Sequence, residues 1–159
     1  MTNGSQVGKV ASLHLHPANS GDPLQSAHEI RAEAGKGIVG DARIFGRKDK
    51  KGEPSRRQIS LIAREQIAQH AATLGLPEIA PGAVRANIET AGIDLMSLVG
   101  QEVKVGGAVL FFYEARTGCV KMDLIVPGLR ELMANGRLGV LAQVVRSGDI
   151  RVGDEISAG

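Results

Sequence analysis

Apolar and polar residues alternate with a period of two in short segments along most of this chain, and glycine closes many of those segments. Leu13 and Leu15 face one way and His14 and His16 the other, so residues 7–16 read as a half-buried strand. Residues 58–63, 83–89, 102–105, 109–115, 140–145 and 150–156 read the same way, several joined by turns such as Gly106-Gly107 and Ser147-Gly148-Asp149. Two segments carry a helical period instead. Residues 64–74 place Ile67, Ala68, Ala71 and Leu74 on one stripe before Gly75 stops it; residues 127–135 open on Pro127 and end at Gly136. Many short strands with few helices, not in regular alternation, predict a mainly β chain with a few helices, folded as a single-domain coiled β-barrel. The expected domain spans residues 7–156, with short tails at 1–6 and 157–159.

Composition narrows the function classes. The chain has 159 residues, 43% hydrophobic and 23% charged, enough for one sizeable core. No apolar run approaches the roughly 18 residues of a spanning helix, and the first residues carry no hydrophobic signal region, so a cytoplasmic protein without a membrane partner is expected. Lys and Arg number 19 against 17 Asp and Glu, and aromatic residues make up 3%. Neither a strong basic excess nor a stacking platform is present, so no nucleic-acid partner is expected. A single cysteine, Cys119, excludes an intramolecular disulfide and a cysteine-held iron–sulfur cluster.

Several local patterns carry candidate chemistry. The glycines at 35, 37 and 40 match a dinucleotide-binding spacing, but no amphipathic helix follows, so they read as a tight turn feeding a strand. His14 and His16, two apart on a strand, would form half a metal site; without a completing ligand in sequence the preferred reading is a solvated strand face. Six Lys or Arg between Arg47 and Arg57 read as a long exposed loop, with a lid or an anion-attracting rim as the alternative. Arg85 and Asn87 are expected to share one strand face, offering a rigid donor fork and an amide; either they decorate a sheet or they hold a phosphate. Cys119 follows an apolar strand and Arg116-Thr117-Gly118. A guanidinium nearby would favour its thiolate, the form that attacks and binds soft metals.

In order along the chain stand Gly37-Ile38-Val39-Gly40-Asp41, Arg57-Gln58-Ile59-Ser60-Leu61-Ile62, Ala80-Pro81-Gly82 with Asn87-Ile88, and the strand from Gly100 to Gly106. Residues 116–119 and the closing Gly148-Asp149-Ile150-Arg151-Val152-Gly153-Asp154 complete the set. This ordered set resembles the MOSC domain, named after the C-terminal domain of molybdenum cofactor sulfurase. The resemblance implies a barrel of the kind shared with the pyruvate kinase barrel domain, and a reactive cysteine at Cys119. In better understood members that cysteine carries sulfur or ligates molybdenum held by a pterin dithiolene. Arg85-Ala86-Asn87 is similar to an Arg-Pro-Asn segment of the amidoxime-reducing members, whereas many bacterial members have Gly-Glu-Asn there. Gly118 stands where many members have Pro.

By matching position, the resemblance implies Arg43, Ser60, Arg85, Asn87 and Ser26 as contacts to pterin or phosphate, and Cys119 as catalytic residue and metal ligand. The expected cofactor is the molybdenum pterin; pyridoxal phosphate is not expected. The implied activity is reduction of N-hydroxylated small molecules with an external electron donor. One alternative is sulfur transfer through a Cys119 persulfide supplied by a cysteine desulfurase; another is a non-catalytic pterin-binding module. A homodimer is expected from the need to enclose a cofactor.

Overall fold

Val10, Leu13, Ile59, Leu61, Ile88, Val103, Val105, Leu110, Phe112 and Val140 are all at most 1% exposed, and they come from strands scattered along the chain. Burying each such side chain contributes roughly 1.5–3 kcal/mol, and a sheet curled onto itself lets all of them share one interior. In the computed structural model, which describes residues 7–19, 21–116 and 138–158, that is the arrangement found.

The strands are β1 (Val7–Leu15), β2 (Gln25–Ala27), β3 (Glu29–Glu33), β4 (Gly37–Ile38), β5 (Ile59–Ala63), β6 (Ile88–Ala91), β7 (Glu102–Val105), β8 (Ala108–Ala115), β9 (Val140–Arg146), β10 (Gly148–Arg151) and β11 (Glu155–Ala158). The order β11-β7-β8-β9-β5-β6-β1 closes through a further β11–β1 pairing into a barrel of seven strands, with β2 added beside β1. A separate three-stranded sheet runs β10-β3-β4. Among the described residues every strand pairing is antiparallel except β5 with β6, where the α-helix α1 (Arg64–Thr73) lies in the crossover a parallel pair requires.

The helix lies outside the barrel. Ile62, Ile67, Ala71, Ile79, Val84, Ala86 and Leu138 form a second apolar cluster beneath it. His70, and not Ala68, completes its buried stripe, and Gly75 terminates it in a left-handed conformation at φ 73°.

Three expectations change. The expected strand at 150–156 is two strands, β10 and β11, because Val152 and Gly153 turn between them and Asp154 Oδ2 accepts the Arg151 amide at 2.8 Å. The expected strand at 83–89 starts only at Ile88; the preceding residues form turns, with the Ala83 and Arg85 amides donating to the Ala80 and Gly82 carbonyls. Strands β2, β3 and β4 were not anticipated, being only two to five residues long. The helix expected at 127–135 lies outside the described residues. Among those described, no helix is long and apolar enough to cross a membrane.

Candidate functional site

The registers of three neighbouring strands create the site. Leu13 of β1 pairs with Ile88 of β6, and Ile88 with Leu61 of β5, giving an apolar row inside the barrel. One residue along, the row turns polar: Ser60 precedes Leu61 and Asn87 precedes Ile88. There Asn87 Oδ1 accepts from the Ser60 amide at 3.1 Å and from Ser60 Oγ at 3.3 Å, and the Asn87 amide donates to Ser60 Oγ at 3.1 Å. The Asn87 side-chain amino group donates to the His14 carbonyl and to Asp41 Oδ2, both at 3.0 Å. Asn87 is 1% exposed, and all of its amide capacity is used inside the protein.

Asp41 is the centre of the network. Its Oδ2 accepts from the His16 amide at 3.1 Å, from Asn87, and from the His16 ring, whose Nδ1 lies 2.7 Å away; its Oδ1 accepts from the Arg43 and Ile44 amides at 3.2 and 2.9 Å. Burial by itself would raise its pKa, but the hydrogen bonds from the His16 ring and main chain and from Ile44 outweigh it and hold the carboxyl at about 2. Asp41 is therefore an ionised, acceptor-only group at neutral pH. The second ring nitrogen of His16, Nε2, lies 3.1 Å from the Arg85 carbonyl.

Arg85 occupies the left-handed region at φ 64°, the one non-glycine residue to do so among those described. Such a conformation costs on the order of 1–3 kcal/mol and persists only where the surroundings hold it. Its Nη1 donates to the Asp22 carbonyl at 2.9 Å, while Nη2 is buried with no hydrogen-bond partner among the described residues. Together with His16, Ile44, Arg57, Gln58, Ile59, Ser60, Asn87 and Arg116, it lines a cavity of about 30 Å³. That volume is well below the several hundred Å³ of a typical enclosed ligand pocket, so the cavity suits one end of a ligand. Arg116, 6% exposed, donates through Nη2 to the Val84 carbonyl at 3.0 Å.

The structure thus brings Ser60, Arg85 and Asn87 together. Arg43 is exposed on the turn around Asp41 and does not line the cavity, and Ser26 is exposed on β2, its Oγ 3.5 Å from His14 Nδ1. Cys119 lies outside the described residues. Arg85 and Asn87 meet at the cavity through the turn before β6, not through the alternation of a strand. His14 is not on a solvated face: it is 1% exposed, because β2 and the Gly82 turn cover it so closely that a Cβ on Gly82 would come to 2.9 Å from His14 Nδ1. Among the described residues no group of three or more His, Cys, Asp or Glu is placed to hold a metal ion.

The polar stretch from Arg47 to Arg57 is a mostly exposed loop with a short internal bridge between Lys48 and Pro54, and its last residue, Arg57, reaches the cavity. Just ahead of it, Arg56 stacks over the Tyr113 ring at 4.1 Å. Sequence reasoning did not pick out His16 and Asp41 as a pair. The residues lie 25 apart in sequence, and the one signal was Asp41 closing the Gly-rich turn.

The fold is thus a closed seven-stranded barrel, with a small cavity at its strand ends lined by Arg57, Arg85 and Arg116. The chain belongs to the MOSC domain family, whose model matches residues 16–157. The crystal structure of the YuaD protein from Bacillus subtilis is similar, with a TM-score of 0.81 and 24% identity over 98% of this chain and 97% of that one. YiiM from Geobacillus stearothermophilus has a TM-score of 0.73 at 15% identity, over 96% of this chain and 75% of that one. YiiM from Escherichia coli has a TM-score of 0.65 at 17% identity, covering 98% and 69%. At these identities the likeness is one of fold. No curated protein sequence matches the chain.

Proposed function

We propose that this MOSC protein binds a phosphate-bearing molybdenum pterin at the Arg85 cavity and reduces N-hydroxylated small molecules, with Cys119 as the metal ligand. The observation that carries the reading is the buried Nη2 of Arg85, without a hydrogen-bond partner among the described residues, in a cavity also lined by Arg57, Arg116 and Ser60. Leaving a buried donor unpaired costs about 1–3 kcal/mol, which an anion at that position would recover. The residues present fit the cofactor at its phosphate end: guanidinium forks match phosphate oxygens, and the cavity's size suits that end alone.

Within that reading Arg85 and Arg57 would hold the phosphate, Ser60 would flank it, and Asn87 and Asp41 would brace the wall behind. The bound cofactor would supply the two-electron couple of the reaction. The overall change takes R–NHOH, two electrons and two protons to R–NH₂ and water, breaking the N–O bond, with the electrons coming from an external donor protein. The basic 47–57 loop would draw anionic ligands toward the cavity.

The test is cofactor content in protein purified from a molybdenum-replete host. Metal and oxidised-pterin fluorescence are measured for the wild type, Arg85→Gly and Cys119→Ser, with Arg85→Gly chosen because glycine accepts φ 64° without strain. Expected are molybdenum and pterin near one per chain in the wild type, both lost about tenfold or more in Arg85→Gly, and metal alone lost in Cys119→Ser. Wild-type protein that takes up no pterin overturns the reading, and a Cys119 persulfide formed with a cysteine desulfurase would then identify sulfur transfer. Protein loaded with cofactor and given an artificial reductant is expected to consume N-hydroxylated bases; inertness toward them would leave cofactor binding without this reaction.

A further inference from the structure

We infer that His16, as an imidazolium, is the positioning residue that sets Arg85 for anion binding, an inference that rests on the anion-site reading above. Both nitrogens of the His16 ring face groups that only accept hydrogen bonds: the ionised Asp41 carboxylate at Nδ1, 2.7 Å away, and the Arg85 carbonyl at Nε2, 3.1 Å away. Asn87 Nδ2 also lies 3.4 Å from Nδ1, but its two hydrogens are engaged by the His14 carbonyl and Asp41 at 3.0 Å each. A neutral imidazole has one N–H and satisfies one of these acceptors; the second lone pair would then face a carbonyl oxygen. The imidazolium satisfies both.

The consequence reaches the cavity through the main chain. Arg85 is held in its left-handed conformation by the hydrogen bond its amide donates to the Gly82 carbonyl and by the His16 clamp on its own carbonyl, while Nη1 is tied to the Asp22 carbonyl. With the clamp in place, the strained backbone presents Nη2 to the cavity. Losing the Nε2–H removes one of the few contacts that offset the strain, and the guanidinium loses its preorganised position. The charged groups facing His16 are Asp41 from the turn after β4, the Arg85 segment before β6, and Arg57 and Arg116 around the cavity. His14, the nearest other histidine, has Ser12, Ser26 and Glu89 as partners and does not line the cavity.

The experiment is sulfate binding by calorimetry between pH 5 and pH 8 at constant ionic strength, the span in which an imidazole changes charge and sulfate does not. Wild type, His16→Gln and Arg85→Gly are compared, with thermal unfolding to verify that each is folded. The wild type is expected to bind sulfate about tenfold more weakly at pH 8 than at pH 5. In His16→Gln, whose side chain is neutral throughout, affinity is expected to be low and independent of pH. Arg85→Gly should both weaken binding and lose the pH dependence, because His16 acts through Arg85. A wild-type slope that survives in Arg85→Gly would mean that His16 attracts the anion directly, and a pH-independent wild type would remove its role; either overturns the inference while leaving the anion site standing. Absence of sulfate binding in the wild type at every pH overturns the anion-site reading itself. Should His16→Gln fail to fold, the wild type and Arg85→Gly profiles decide the matter.

Discussion

His14 and His16 stand two residues apart, and each ring lies near a buried carboxylate, yet their other partners differ. His14 Nε2 is 2.8 Å from Ser12 Oγ and 3.8 Å from Glu89 Oε2, while Nδ1 is 3.5 Å from Ser26 Oγ. A hydroxyl donates or accepts as needed, so a neutral ring is fully served, and burial pulls the His14 pKa down against the opposing pull of Glu89. Glu89 has its own cation: Arg64 Nη1 at 2.7 Å, with the Gly82 amide on its other oxygen at 2.7 Å. The His14 site is a buried structural joint between β1, β2, β6 and the helix. The His16 site has no second cation on its carboxylate among the contacts described; the ring is the partner of Asp41, it borders a cavity, and it meets an acceptor at each nitrogen. A buried His–carboxylate pair therefore says little by itself. The other acceptors and donors around the ring decide what it can do: hydroxyls on His14, a carboxylate and a carbonyl on His16.

The hardest blow to this contrast is Asp41→Ala. It strands the buried donors of Asn87, His16, Arg43 and Ile44 that now share one carboxylate, and is expected to cost about 3–5 kcal/mol in urea denaturation. A loss below 1 kcal/mol would show that the network adds little to the fold. Acid titration of wild-type stability comes next. The Asp41 carboxyl is held at about 2 against an ordinary 3.8, so its stabilisation is fully present above roughly pH 4 and fades as the pH falls toward 2. The drop is about 2 kcal/mol and should be missing from Asp41→Asn.

His14→Gln has a smaller effect, near 1 kcal/mol at neutral pH from the altered serine contacts, with no change in sulfate affinity. Its pH dependence is the sharper readout. A histidine with a lowered folded pKa binds its proton more readily when unfolded, so wild-type stability from this group is intact above about pH 6.5 and erodes as the pH falls below it. The variant should lack that erosion. Ser26→Ala is expected to change stability by less than about 0.5 kcal/mol and cofactor content not at all, since Ser26 is exposed and its contact with His14 is long. A marked loss of cofactor in Ser26→Ala would move the site's boundary onto β2.

Much of the barrel was legible in the sequence. Residues 58–63, 102–105, 109–115 and 140–145 alternate or run apolar, and they became β5, β7, β8 and β9 within a residue or so because one buried interior rewards that pattern wherever it occurs. The short strands β2, β3 and β4 were not legible: two to five residues carry too little periodicity, and β3 is anchored on β10 more than a hundred residues on. Likewise, Ser60, Arg85 and Asn87 could be named from an ordered motif set, but the reason they meet could not. Arg85 reaches the cavity by way of a left-handed turn, and a local pattern read as strand predicts the opposite backbone.

What the sequence by itself determined, then, is the family, the β-rich barrel, the helix from Arg64 with its glycine stop, and the polar residues set between apolar ones that had to find partners somewhere. Those features depend on spacing along the chain, which the sequence states directly. Only the tertiary structure decided which histidine was buried beside hydroxyls and which beside a carboxylate and a carbonyl. Asp41 meets His16 across 25 residues, and His16 meets the Arg85 carbonyl across 69, so those contacts exist only once the barrel has closed. The protonation state of an imidazole, and with it the work the residue can do, is set by its neighbours in space.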